Sequence, residues 1–196
     1  SRVFIHEKIH DHVLGRVAAK MASIRIGMPE DPLTEMGCLI DQAQFDRVKQ
    51  YIDAGRAEGA RLVAGGRRPE DSRLDGGFFL TPALFADVHP QMRIATEEIF
   101  GPVVAALRWC DEDEMFAAVN GTAFGLTASI WTRDLVAAHR AAMRVEAGYV
   151  WINGSSSHFV GAPFGGYKRS GWGRDESIEE MLDFTQVKNV NVSLDS

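Results

Sequence analysis

Apolar and polar residues alternate along this chain with two different periods, and the points where the period changes divide it into short elements. Val3, Phe4 and Ile5 open it as a β-branched and aromatic run, which suits a pleated strand. Ile9, Val13, Leu14, Val17 and Met21 then recur at helical spacing. They predict an amphipathic helix over residues 6–23 that Gly27, Pro29 and Pro32 end. Asp41 is placed as an N-cap for a second helix with Phe45, Val48, Ile52 and Ala60 on one face, closed by Gly59. Residues 61–64 read as a short strand, 65–77 as a glycine-rich charged turn, and 78–85 as a strand ending before Asp87 and Pro90.

The second half repeats the alternation. A buried strand is expected at 103–109, a helix at 113–120, a strand at 126–131, a helix capped by Asp134 and running to Arg144, and a strand at 149–153. Residues 154–173 follow with no period, rich in Gly, Ser and aromatics, a length that a compact domain rarely leaves unstructured unless it builds a site. A short helix over 177–182 and an extended tail over 184–194 complete the pattern. Strands alternating with helices predict an α/β fold with a mostly parallel sheet flanked by helices on both faces.

The 196 residues, 45% hydrophobic and 24% charged, have the balance of an ordinary globular protein, and one α/β domain is the default expectation. A formal net charge of −6 with no block of Lys and Arg argues against a nucleic-acid partner. The longest apolar runs are strand-sized, so no membrane span is expected. Two distant cysteines, Cys38 and Cys110, with no secretory signal pattern, suit a reducing, cytoplasmic setting. The first residue is Ser rather than Met and the first strand is already under way, so the chain is expected to begin inside a fold.

Several motifs carry candidate chemistry. His6-Glu7-Lys8-Ile9-His10 spells H-E-x-x-H, which on a helix sets two imidazoles one turn apart for zinc hydrolysis. Val13 and Arg16 stand where the longer zinc signature has Gly and His, and Glu30, the one third ligand on offer, lies beyond Pro29, so a solvated helix start is preferred. Ser155, Ser156 and Ser157 before His158 lack a nucleophile elbow and read as a loop. Cys38 and Cys110 have no His placed to activate them and read as small buried or half-buried residues. The glycines and two cations of 165–173 suggest a phosphate cradle, yet the P-loop ending is missing and a tight multi-turn loop is the better reading. Thr96-Glu97-Glu98-Ile99-Phe100-Gly101-Pro102-Val103 is different in kind. Carboxylates and an aromatic at a strand entrance can meet sugar hydroxyls and a flat ring, although a plain surface turn is the alternative.

E-E-I-F-G-P-V at 97–103 and P-F-G-G-Y-K-x-S-G-x-G-R at 163–174, in register, resemble the aldehyde dehydrogenase superfamily. Gly37 to Asp41, Gly59 to Gly66, Phe124-Gly125-Leu126 and G-x-V-W-I-N at 148–153 agree, so the resemblance covers essentially the whole chain. It implies a catalytic-domain-like part over 1–183 and an extended C-terminal oligomerisation strand and tail over 184–196, the strand adding to a neighbouring subunit's sheet in a homo-oligomer.

In that family a cysteine attacks the aldehyde, hydride passes to NAD or NADP, and water hydrolyses the thioester to a carboxylic acid. The resemblance puts that cysteine a few residues before the segment matched by 1–4 and the general base further upstream. No catalytic residue is therefore expected within the chain, and no turnover from it alone. Glu98 matches the glutamate that hydrogen-bonds the nicotinamide ribose and Phe100 the aromatic beside the nicotinamide. Phe164 matches a ring lining the aldehyde tunnel and His158 a tunnel position that tunes substrate choice. Lys168 and Ser170 are assigned a structural role, and Asp175 stands where many relatives have Glu, which puts a carboxylate proton relay there in doubt. No metal is implied. The other readings are a dimerisation or complementation module of a split dehydrogenase and, last, the zinc hydrolase.

Overall fold

The computed structural model describes residues 1–194, which form two compact units, the first Ser1–Gly121 and the second beginning at Thr122. In the first unit β1 (Arg2–His6), β2 (Arg61–Ala64), β3 (Ala83–Ala86) and β4 (Val103–Trp109) make one sheet in the order β1-β4-β3-β2. β4 runs parallel to both β1 and β3, while β2 lies antiparallel to β3 at the edge.

The two-residue period of the strands sorts their side chains into two cores. Leu84, Ala86 and Ala106 pack with Leu14 of α1 (His10–Ala22). Ala83, Phe85, Val103, Ala105 and Leu107 point the other way and pack with Phe45, Val48 and Ile52 of α2 (Gln42–Ala57). Both faces of the sheet are thus covered by helices, which is why β4 reads as a nearly continuous apolar run. Burying each large side chain stabilises the unit by about 1.5–3 kcal/mol. Two caps fix the ends of α2: the Asp41 carboxylate accepts the Gln44 N–H at 2.7 Å, and Gly59, at φ +98°, turns the chain out of the helix.

The expected helix over 6–23 is shorter. His6 is the last residue of β1, in register with Trp109, and its ring meets the Trp109 ring edge-on at 4.6 Å. Residues Glu7–Ile9 make one 3₁₀ turn before α1 begins. Pairing with β4 overrides the helical period here. The strand expected at 78–85 shrinks to β3, since Phe79 and Leu80 are buried by packing without joining the ladder. α3 (Arg93–Thr96) and α4 (Glu112–Asn120) complete the first unit.

In the second unit β6 (Thr127–Ile130) and β7 (Tyr149–Ile152) pair in parallel, joined through α5 (Leu135–Arg144), whose N-terminus Asp134 caps by accepting the N–H groups of Val136 and Ala137. β5 (Phe124–Gly125) and β8 (Tyr167–Lys168) form a short antiparallel pair, and α6 (Ile178–Asp183) follows. Among the described residues the tail over 184–194 pairs with no strand, and the last two residues of the expected tail, Asp195 and Ser196, lie outside them. Among the described residues no helix is long and apolar enough to cross a membrane.

Candidate active site

The first unit presents Glu98 and Phe100 together on the turn that feeds β4. Val103 and Ile99 are buried and anchor the two ends, while Glu98 is exposed and Phe100 is 78% exposed. α2 grips the backbone between them: Gln44 Nε2 donates to the carbonyls of Ile99 and Phe100 at 3.0 and 2.8 Å, and Arg47 donates to the Glu98 carbonyl at 2.8 Å. Gly101 allows this approach, because a Cβ there would fall 2.4 Å from Val48 Cγ2. With its carbonyls held inward, the turn directs Phe100 outward at φ +54°, a conformation that a bulky side chain rarely adopts.

Glu97 is the structural partner in the pair of carboxylates. It takes two hydrogen bonds from Arg93, at 2.9 and 3.1 Å, and one from the Tyr51 hydroxyl at 2.8 Å. The Arg93 bonds, then the Tyr51 bond, hold its carboxyl below the usual carboxylate range, and Arg93 is pushed up in turn. Among the described residues the Glu98 side chain makes no such bond, and only its carbonyl is held.

The second unit brings His158 and Phe164 together. Their ring centroids are 4.6 Å apart, and Tyr149 and Trp151 of β7 join them, Tyr149 lying 5.6 Å from each. Phe164 is held by paired backbone bonds with Asp175, at 3.0 and 2.7 Å, so Asp175 acts here through its main chain. His158 Nδ1 meets Glu176 Oε1 at 2.7 Å, and the Trp151 indole N–H donates to the Ser157 carbonyl at 2.7 Å.

The glycine-rich stretch is a tight turn. Gly165 packs so closely on Gly173, and Gly166 on Ser170, that Cβ atoms would lie 2.3 and 2.5 Å from the nearest neighbours. Arg174 donates to the carbonyls of Gly166, Trp172 and Gly173. Ser170 Oγ accepts the Gly125 N–H at 3.0 Å, and Lys168 pairs with Glu146 at 2.5 Å, both structural uses.

The zinc motif is broken by the boundary between β1 and α1. His6 Nδ1 accepts the Lys8 N–H, whereas His10 is buried with Nδ1 beside Asp11 at 2.8 Å and Arg108 at 3.0 Å. Among the described residues no three His, Cys, Asp or Glu side chains are grouped to hold a metal ion. Both cysteines are exposed, so the expectation that they are buried or half-buried is not met.

Sequence reasoning missed Gln44 and Arg47, although their spacing of three on α2 puts them on one face. It also missed Glu176, which lies 18 residues from His158 and has no local signal.

Residues 1–190 match the model of the aldehyde dehydrogenase family. An aldehyde dehydrogenase of Talaromyces stipitatus is 52% identical over 99% of this chain and 38% of its own length. A betaine aldehyde dehydrogenase of Brucella anthropi is 43% identical over 99% of this chain and 40% of its own. The structure of a Mycobacterium tuberculosis aldehyde dehydrogenase complexed with NAD⁺ superposes with a TM-score of 0.91 and 39% identity, over 100% of this chain and 40% of that one. The chain thus spans about two fifths of the length of the proteins it matches.

Proposed function

The chain belongs to the aldehyde dehydrogenase family, and we propose that it is the part of an NAD- or NADP-linked aldehyde dehydrogenase that contacts the nicotinamide end of the dinucleotide and the aldehyde. The whole enzyme oxidises an aldehyde to a carboxylic acid in the cytoplasm. Glu98 accepts hydrogen bonds from the ribose hydroxyls, Phe100 lies beside the pyridine ring, and Phe164 and His158 line the aldehyde's path.

The observation that carries this reading is the exposed Phe100 held at positive φ beside an uncommitted carboxylate. Such a conformation costs about 1–3 kcal/mol, and a ring so exposed returns little of it through packing. The strained segment is fixed by Gln44 and Arg47, as a surface that must be ready before a ligand arrives would be. A ribose presents hydroxyl donors to an acceptor-only carboxylate, and a flat ring presents a face to an aromatic, so the residues fit the group. The chemistry supplied by a bound nicotinamide is acceptance of hydride; these side chains bind and orient.

Phe100→Gly in the whole enzyme is the test. It should leave the thermal midpoint unchanged or higher, because glycine accepts positive φ at no steric cost, while dinucleotide affinity falls. Glu98→Gln should lower that affinity roughly tenfold or more, the worth of hydrogen bonds to a charged group. Unchanged affinity in both variants, measured by calorimetry, would end the assignment.

The tail over 184–196 is assigned to assembly with a neighbouring subunit. Val190, Val192 and Leu194 alternate in sequence and are each more than 70% exposed, the pattern of a strand awaiting an apolar partner. Light scattering should show an oligomer that shortening the chain to 1–183 dissociates; a monomer in both forms rules it out.

A further inference from the structure

Glu176 gives His158 a defined chemical face. Their side chains are each 35% exposed, with Nδ1 and Oε1 2.7 Å apart. A carboxylate that carries no proton only accepts, so against a neutral ring it would place the ring proton on Nδ1 and leave Nε2 with a lone pair. No group among the described residues donates to that Nε2. Glu176 is itself fixed: its N–H donates to Glu180 at 2.7 Å, its carbonyl accepts the Gly161 N–H at 2.8 Å, and it sits at φ +62°. A non-glycine residue held in that region by two bonds is well placed to orient a neighbour. The His158 ring lies within an aromatic cluster: it is stacked on Tyr149 at 22°, with ring centroids 4.6 Å from Phe164 and 5.9 Å from Trp151.

We propose that His158, set by Glu176 as an acceptor within this aromatic cluster, selects aldehydes that carry a hydroxyl donor on a flat apolar body. The selection rests on the reading of His158 and Phe164 as aldehyde-lining residues. The rings take the flat body of the substrate, and Nε2 takes its hydroxyl proton. A substrate of the same shape with a methyl in place of the hydroxyl leaves Nε2 covered and unpaired, which costs binding. His158 therefore acts as a specificity residue and Glu176 as the positioning residue behind it.

The test uses the full chain with ¹⁵N-labelled histidine rings, titrated by NMR at pH ~8, above the ordinary imidazole range. The probes are 3-hydroxybenzaldehyde and 3-methylbenzaldehyde. His158 should show the Nδ1-protonated tautomer before addition. The hydroxy compound should bind roughly three- to tenfold tighter, as one net hydrogen bond allows, and it alone should shift Nε2. Glu176→Ala should release the tautomer and erase the preference while affinity for the methyl compound stays. Glu176→Gln, whose amide oxygen still accepts, should keep part of it. Equal affinities with no Nε2 shift would overturn hydroxyl selection and leave the aldehyde-lining reading standing. If neither probe perturbs His158, both readings fall. A wild-type ring protonated at Nε2 would overturn the proposal without any variant.

Discussion

Incubated with an aldehyde and NAD⁺ or NADP⁺, these 196 residues by themselves are expected to form no carboxylic acid above background. The covalent route needs a thiolate held against the carbonyl and primed by a cation, an imidazole or a helix N-terminus. Neither thiol has such a setting. Cys38 is exposed between Gly37 and Leu39, and Cys110 is exposed and followed by Asp111, Glu112, Asp113 and Glu114. The side chains proposed for the site, Glu98, Phe100, His158 and Phe164, would bind and orient without forming a bond to carbon. Losing the nucleophile from a covalent mechanism costs roughly 10⁶-fold, so the expected rate is indistinguishable from the uncatalysed one. The assay should follow product acid as well as reduced cofactor. Turnover that copurifies with the chain and disappears in Cys38→Ala or Cys110→Ala would refute it.

The second large effect is on folding. Gly148→Ala should destabilise the second unit by about 3 kcal/mol, the upper end of what overpacking usually costs. The reason is space rather than φ: a Cβ at position 148 would fall 1.9 Å from the Gly165 carbonyl oxygen and 2.8 Å from its carbon. Neither neighbour can yield easily, because Gly165 is itself pressed on the Gly173 carbonyl and the turn is held by Arg174. Position 148 precedes Tyr149 and position 165 follows Phe164, so the displaced backbone should also pull the aromatic cluster apart. Near-ultraviolet circular dichroism should therefore weaken along with the urea midpoint. A variant within about 0.5 kcal/mol of the parent, the range of an ordinary surface change, would show that the two segments do not approach so closely.

Much of this was legible because it is written locally. Asp41 and Asp134 cap their helices, Gly59 lies just past the end of α2, and 103–109 is a buried strand, since caps, positive-φ glycines and apolar runs depend on sterics and hydrogen bonds within a few residues. The motifs at 97–103 and 163–174 also pointed to the family that residues 1–190 match. Where the reading failed, a distant partner won. His6 carries a helical pattern and yet extends β1, because Trp109 lies beside it in the sheet, 103 residues away in sequence.

The sequence alone determined the order of the longer helices and strands, a matter of short-range pattern, and the resemblance of its motifs to the family put forward Glu98, Phe100, His158 and Phe164 as candidates. Only the tertiary structure decided that Gln44 and Arg47 hold the turn under Phe100, that Glu97 rather than Glu98 is tied to Arg93, and that Glu176 fixes the ring of His158. Those contacts join side chains whose separation along the chain carries no preferred direction in space. They exist because packing of the sheet, helices and turns has already placed the backbones within hydrogen-bonding reach, and no local propensity encodes that placement.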